Sequence, residues 1–461
     1  MRILILLFLA LTLPGNLRAA FASTTEWDVR TTGATDNGGG FNTAASGTDR
    51  SQSDAAYITY ADLVIGATTT QATSAAFPFD ATSPGNIVNV TSGAGCTVQR
   101  AQIVSVAGVV ATFDKSLGTA ASTCAGKLGG GLTTVADAVG LAVLGNAVHI
   151  KTGTYTFTAF QAVSSGVPSF FRGYGTTHND KGTRPLITTA TNSISLFQMT
   201  TTATVFDNIS FSSTAGVRFP AFNSINDNTQ LTVIRCLFDG FSAAIYSTAN
   251  TKPLIVVDSE IKNSTVNAIL MSGQLFIYGS YIHDNAIGVE SSLNSDTQIS
   301  VSVTRSIIAA NTSHGIVSTT NGSVLVNESV VSNNGGAGVS MTAPLRFIAN
   351  NSIFSGNTTY GVTATAAPPS QSLYNNAYGN NTSGNLNNVS AGTGDVTLTV
   401  SPFVSATNFA LNSTAGGGAA LKQLGFPGVF PGGTTTGYLD IGAVQTAAGA
   451  AAATIAYPMV Q

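Results

Sequence analysis

A small residue followed two places later by a large apolar one recurs through the middle of this chain, and that pattern leaves few folds open. The pairs are Cys236 and Phe238, Ser259 and Ile261, Ser280 and Ile282, Ser306 and Ile308, Ser329 and Val331, Ser352 and Phe354, and Asn376 and Tyr378. They recur at roughly 21 to 26 residues, the length of a solenoid repeat. An offset of two puts both side chains on one face of a strand, so both columns point inward. Three places before each small residue runs another apolar column, Val233, Val256, Ile277, Val303, Val326 and Ala349. The odd offset demands a bend between two strands. A third strand carries Ile245, Ile269, Val289, Ile316, Val339 and Val362, usually after a glycine. Three short strands per repeat, stacked at about 4.8 Å per coil, define an all-β chain: a right-handed single-stranded parallel β-helix. About twelve coils would make a rod roughly 60 Å long. Helical arrays are excluded because no segment keeps a 3.6-residue period and β-branched residues, Gly and Asn dominate.

Asparagine gives a second periodic signal. Asn285, Asn311, Asn334, Asn357 and Asn381 each fall five residues after the small position, where the strand must turn. Asn tolerates left-handed backbone, and its amide can bond the Asn of the next coil, so these residues are expected to form a ladder.

The ends place the solenoid in context. Arg2, the apolar run Ile3 to Leu13 and the sequence Ala20-Phe21-Ala22 have the layout of a secretory signal peptide over residues 1–22. No later stretch is apolar enough to serve as a transmembrane anchor. Only 8% of the residues are charged and the net charge is −3, which argues against nucleic acid as a partner. Disorder is excluded by the 43% apolar content together with the periodicity. Cys96 and Cys124 are expected to close a disulfide in an oxidising compartment, stabilising by about 3.5 kcal/mol on the chain-entropy model. Cys236 stands in the inward column and reads as a buried structural thiol.

Residues 23–130 alternate apolar and polar positions between turns and read as a small N-terminal β-rich module. The Gly-rich run Asp36 to Phe41 neither follows a strand nor opens a helix, so it is no phosphate loop. Thr133 or Thr134 can N-cap a short helix whose Val135, Val139, Ala142 and Val143 share a face and which Gly145 stops. That helix is expected to cap the open first coil of a β-helix spanning 131–445. An apolar tail, 446–461, follows.

The segment Gly145-Asn146-Ala147-Val148-His149-Ile150-Lys151-Thr152-Gly153-Thr154-Tyr155, then Phe171-Arg172-Gly173-Tyr174-Gly175, resembles the opening of the pectate-lyase-like right-handed β-helix superfamily. The late Gly437-Tyr438-Leu439-Asp440-Ile441-Gly442-Ala443 resembles the closing coil of secreted members. Val29 to Phe41 is similar to the start of β-helix proteins among secreted bacterial and virion-surface proteins. The resemblance implies fold and coil register. It also implies what enzymatic members require: carboxylates holding calcium beside a Lys or Arg base in lyases, or opposed acid and base carboxylates in inverting glycosidases.

The best charged cluster is Asp239, Lys262 and His283, at one offset in consecutive coils, with Asp258, Glu260 and Asp284 nearby. As a catalytic site it would use Lys262 or His283 as base. Against that, Arg235 with Asp258, and Arg305 with Glu328, share an offset one coil apart, as in ordinary cross-strand pairing. No zinc spacing or cofactor fingerprint occurs, so no metal or cofactor is expected, calcium entering only with the lyase reading. The expected function is a secreted, non-catalytic structural or adhesive rod, a subunit of a filament, surface layer or virion fibre, or a glycan-binding rod. The alternative is a secreted polysaccharide lyase or glycoside hydrolase. One residue after the small position the outward column reads Leu237, Glu260, Tyr281, Ile307, Val330, Ile353 and Ala377; its later half is apolar, which marks a partner strip for self-association (Leu237, Tyr281, Ile307, Val330 and Ile353) or a surface lying under a loop.

Overall fold

The computed structural model describes residues 21–163, 169–199, 203–224, 230–247, 252–293, 299–425 and 439–445. The expected signal peptide up to residue 20 and the expected tail 446–461 lie outside the described residues. Three sheets of 12, 11 and 10 strands, parallel throughout the coils, form the solenoid. Each coil gives one strand to each sheet. In one coil these are Leu254–Val257, Glu260–Lys262 and Asn267–Met271, and in the next Leu275–Tyr278, Tyr281–His283 and Ile287–Ser291. Val256 pairs with Ile277, Ile261 with Ile282 and Ile269 with Val289, so each apolar column stacks on itself in a dry core.

The bend between the first and second sheets is made by one left-handed residue per coil: Arg235, Asp258, Gly279, Arg305, Glu328, Asn351 or Asn375, with φ between 46° and 55°. For a residue with a Cβ this backbone costs about 1–2 kcal/mol. The small residue that follows explains why the cost is tolerated. Its backbone N–H donates to the side-chain oxygen one coil on, Ser259 to Ser280 Oγ at 3.2 Å and Ser306 to Ser329 Oγ at 3.2 Å. Each hydroxyl in turn donates two residues back, as Ser306 Oγ does to the Thr304 carbonyl at 2.8 Å. Cys236 heads this column, fully buried, and burial pushes its thiol up to about 12.

The asparagines stack. Asn285 Nδ2 donates to Asn311 Oδ1 at 3.1 Å, Asn311 to Asn334 at 2.9 Å, Asn334 to Asn357 at 2.9 Å and Asn357 to Asn381 at 3.0 Å. The left-handed residue of this turn is not the ladder Asn but the one before it: Asp284, Ala310, Asn333, Gly356 or Asn380. The ladder side chain is freed to point inward because its neighbour takes the strained backbone.

Thr134 Oγ1 accepts the Asp137 N–H at 3.1 Å and starts the helix Val135–Leu141, which buries Val135, Ala138 and Val139 over the first coil. Ala142, expected inside the helix, is its extended C-cap. Six antiparallel strands between Ile58 and Leu128 close a barrel around Tyr60, Leu63, Phe79 and Phe113. Cys96 and Cys124 are joined by a disulfide, with Cys124 inside the barrel's core. Thr25–Val29 does not belong to the barrel: it pairs in parallel with Ala147–Lys151 and extends the first sheet. No helix among the described residues is long and apolar enough to cross a membrane.

Of the two readings of the outward apolar column, the structure has the surface lying under a loop. Val330 and Ile353 are fully buried, and Tyr281 and Ile307 pack at the margin of the same cluster, under a strap formed by residues 399–425 and 439–445. Phe403, Phe409, Leu411, Leu421 and Ile441 supply its inner face. Leu237, also in that column, is half-buried and outside the cluster. Asp440 to Ala443 is therefore no closing coil: the Gly442 N–H donates to the Asn351 carbonyl at 2.7 Å, and Gly442 lies against Ile353 on the side of the rod. The outward column is apolar because the chain covers it with its own C-terminal part.

Candidate functional site: a polar groove beside the asparagine ladder

Asp239, Lys262 and His283 are direct neighbours across three strands of the second sheet, Asp239 opposite Lys262 and Lys262 opposite His283. Glu260 ties two of them together. Its Oε1 accepts from Lys262 Nζ at 2.9 Å and from His283 Nε2 at 3.1 Å. His283 Nδ1 meets Asp284 Oδ2 at 2.6 Å, and the His283 ring stacks on Tyr281 at 3.8 Å. Burial works to raise the Glu260 carboxyl, but the bonds from His283 and Lys262 outweigh it and hold the group below the usual range. Glu260 is thus an anion that accepts hydrogen bonds, not an acid with a proton to give.

Two residues singled out in the sequence stand apart from this arrangement. Asp258 is exposed at the left-handed bend ahead of the strand. Arg235 pairs with Asp207, not with Asp258, whereas Arg305 and Glu328 do meet, at 2.6 Å.

Beside this patch the turn between the second and third sheets forms an open groove of about 640 Å³ that runs along the rod. Successive coils contribute Ser212 to Thr214, then Asp239 and Gly240, then Asn263 to Thr265, then Asp284 to Ala286, and finally Thr312. Arg218 reaches in from a loop, its guanidinium donating to the Asn263 carbonyl at 3.4 Å. Asn263 Nδ2 donates to Asp239 Oδ1 at 2.7 Å. The groove crosses five coils, about 19 Å at the inter-strand spacing. Its polar groups are hydroxyl, amide and carboxylate, with one guanidinium, set among an at least equal share of apolar surface.

A second polar cluster, which the repeat pattern did not disclose, lies at the N-terminal end. Asp28, fully buried, accepts from Arg30 Nε at 2.5 Å, Tyr174 OH at 2.6 Å and His178 Nε2 at 2.6 Å. His149 and His178 stack at 3.9 Å, with Glu26 between their near nitrogens. The available signal was Glu26-Trp27-Asp28-Val29-Arg30, whose alternation puts charge on one strand face and apolar groups on the other.

Residues 221–382 match the family model described as the right handed beta helix region. The solenoid is a right-handed parallel β-helix, as the resemblance to the pectate-lyase-like superfamily implied. Two solved structures are similar to the chain. The mannuronan C-5 epimerase AlgE6 A-module of Azotobacter vinelandii is 12% identical with a TM-score of 0.31, over 55% of this chain and 91% of that one. The catalytic domain of a GH87 alpha-1,3-glucanase in complex with tetrasaccharides is 8% identical with a TM-score of 0.36, over 72% and 88%. At these scores neither likeness bears on what this chain binds. No curated protein matches the sequence.

Proposed function

We propose that this protein is an exported carbohydrate-binding β-helix that holds a polysaccharide chain along the groove beside the asparagine ladder. The observation that carries this reading is the groove's direction: it runs across successive coils and offers at least one polar side chain at each step, which suits a linear polymer. Asp239, Asn263 and Asp284 offer acceptors and donors for sugar hydroxyls, and Arg218 adds a fork of donors. The signal-peptide-like start and the Cys96–Cys124 bridge support an oxidising destination outside the cytoplasm.

A second reading, polysaccharide cleavage, has one observation in its favour: Lys262, Glu260, His283 and Asp284 form a continuous hydrogen-bonded chain that borders the groove. Against it, Glu260 is ionised and His283 is clamped on both ring nitrogens. Calorimetric titration with acidic and neutral polysaccharides, with and without calcium, separates the two. Binding without new reducing ends or unsaturated products, weakened at least tenfold in Asp239→Ala, supports the binding reading. Turnover lost in Lys262→Ala would replace it with the enzymatic one, and absence of any glycan binding would remove both.

A further inference from the structure

We propose that the N-terminal barrel carries a second carbohydrate-binding site, independent of the groove: a pocket between Arg50, Tyr57, Phe77 and Asp80 that takes one uncharged pyranose unit or the end of a glycan chain. The pocket measures about 270 Å³. Pockets for drug-sized ligands begin at about 300 Å³, so the space suits a single sugar ring and not a run of polymer.

Two large aromatic side chains stand at this pocket in contact with water. Tyr57 is 52% exposed and Phe77 47%. Exposed aromatics scattered singly need no explanation, but these two line one pocket, with Pro78 beside them. The fold holds both in place. Asp62 Oδ2 accepts the Ala75 and Ala76 N–H groups at 2.8 Å, and the Phe77 N–H donates to Ser74 Oγ at 3.0 Å. The Phe77 ring meets the buried Tyr60 edge-on at 6.4 Å. Tyr57 carries the Arg50 guanidinium over its ring, 4.0 Å from the centroid.

The polar groups of the pocket are fixed but underused. Arg50 is anchored by its backbone, its N–H donating to Asn86 Oδ1 at 2.9 Å and its carbonyl accepting from the Gly130 N–H at 2.8 Å. Its guanidinium makes one long bond, 3.5 Å to Thr82 Oγ1, and its Nε has no partner. Asp80 Oδ1 accepts from the Thr82 N–H, Thr82 Oγ1 and Ser83 Oγ at 2.9, 2.7 and 3.1 Å, which holds the carboxylate and leaves Oδ2 to accept from a ligand.

This lining selects the class of ligand. One guanidinium and one carboxylate give the pocket no net charge. An anion would gain from Arg50 and lose to Asp80, and a cation the reverse. A wholly apolar molecule would strip water from both charged groups with nothing in return. An uncharged pyranose meets both demands: its C–H face lies on Phe77, while its rim hydroxyls donate to Asp80 and accept from Arg50. A purely structural contact between Arg50 and Tyr57 accounts for the stacking but leaves the guanidinium donors and the exposed Phe77 without a role.

The test uses the full protein and the methyl glycosides of glucose, galactose, mannose and N-acetylglucosamine, followed by saturation-transfer NMR. At least one should bind with a dissociation constant of about 1 mM or below. Phe77→Ala and Asp80→Asn should each weaken that binding at least tenfold, and Asp239→Ala, in the groove, should leave it unchanged. Phe77 is half exposed, so Phe77→Ala removes contact area without opening the core, and circular dichroism checks the fold of each variant. No transfer to any of these glycosides would overturn the proposal. So would binding retained in both barrel variants, binding lost in Asp239→Ala, or tighter binding of glucuronate than of glucose, which would mark a site for anions.

Discussion

The middle coils and the first coil bury polar groups with opposite chemistry. Through the middle coils the ladder groups are neutral and repeat: Ser280 and Ser306 each donate to the Ser one coil on, and Asn311 and Asn334 to the Asn one coil on. At the N-terminal end the buried groups are ionisable and occur once: Asp28, Arg30, His149 and His178. The difference follows from neighbours. An interior coil always has an equivalent coil above and below, so one neutral group per coil can satisfy the next. The first coil faces the helix Val135–Leu141 and the strand Thr25–Val29, which share no repeat with it, and it is joined to them by a specific network.

Four substitutions or conditions sharpen that contrast, beginning with the largest expected effect. Asp28→Ala leaves Arg30 and His178 buried without their shared anion and should cost about 3–5 kcal/mol, read by chemical denaturation as early loss of the N-terminal end. Survival of the wild-type midpoint would show that the network is dispensable. Asn334→Ala strands the N–H and amide of Asn311, both of which it accepts, and should cost about 2–3 kcal/mol. Ser329→Ala loses the acceptor of the Ser306 N–H and should cost about 1–2 kcal/mol. If Ser329→Ala proved costlier than Asn334→Ala, the ladder would not be the main polar support of the middle coils.

The smallest effect is that of Glu260 on acid stability. Its folded-state carboxyl lies below the unfolded one, so its contribution is present above the unfolded value, near pH 4.5, and is lost as pH falls through the folded value. Urea midpoints of wild type and Glu260→Gln should therefore converge on acidification below about pH 4.3. A gap that widened there would mean that the sign is wrong.

The repeat was legible because its information is local and redundant. Ser259, Ser280 and Ser306 each announce the same inward position, and the offset of five picked out the ladder asparagines. Where a role depends on a single distant partner, the sequence is silent. His178 reaches Asp28 across 150 residues, and no period connects them. The left-handed bends were hidden for another reason: Arg235, Asp258 and Glu328 take backbone that glycine or asparagine would have signalled. Likewise the column through Val330 and Ile353 reads as outward from its parity, but parity cannot reveal that Phe409 and Ile441 return to cover it.

That returning strap alters how the rod transmits force and disorder. A solenoid is nearly one-dimensional, each coil gripping only the coil on either side, so a defect can spread or stop locally. The strap touches Tyr281, Ile307, Val330, Ile353 and Ala377, five consecutive coils at once, and acts as a splint along their flank. Those coils cannot peel off one at a time from the C-terminal end while the splint holds. They share a single threshold, and a pull on the far end is felt near Tyr281, where the strap's Phe409 meets the ring stacked on His283.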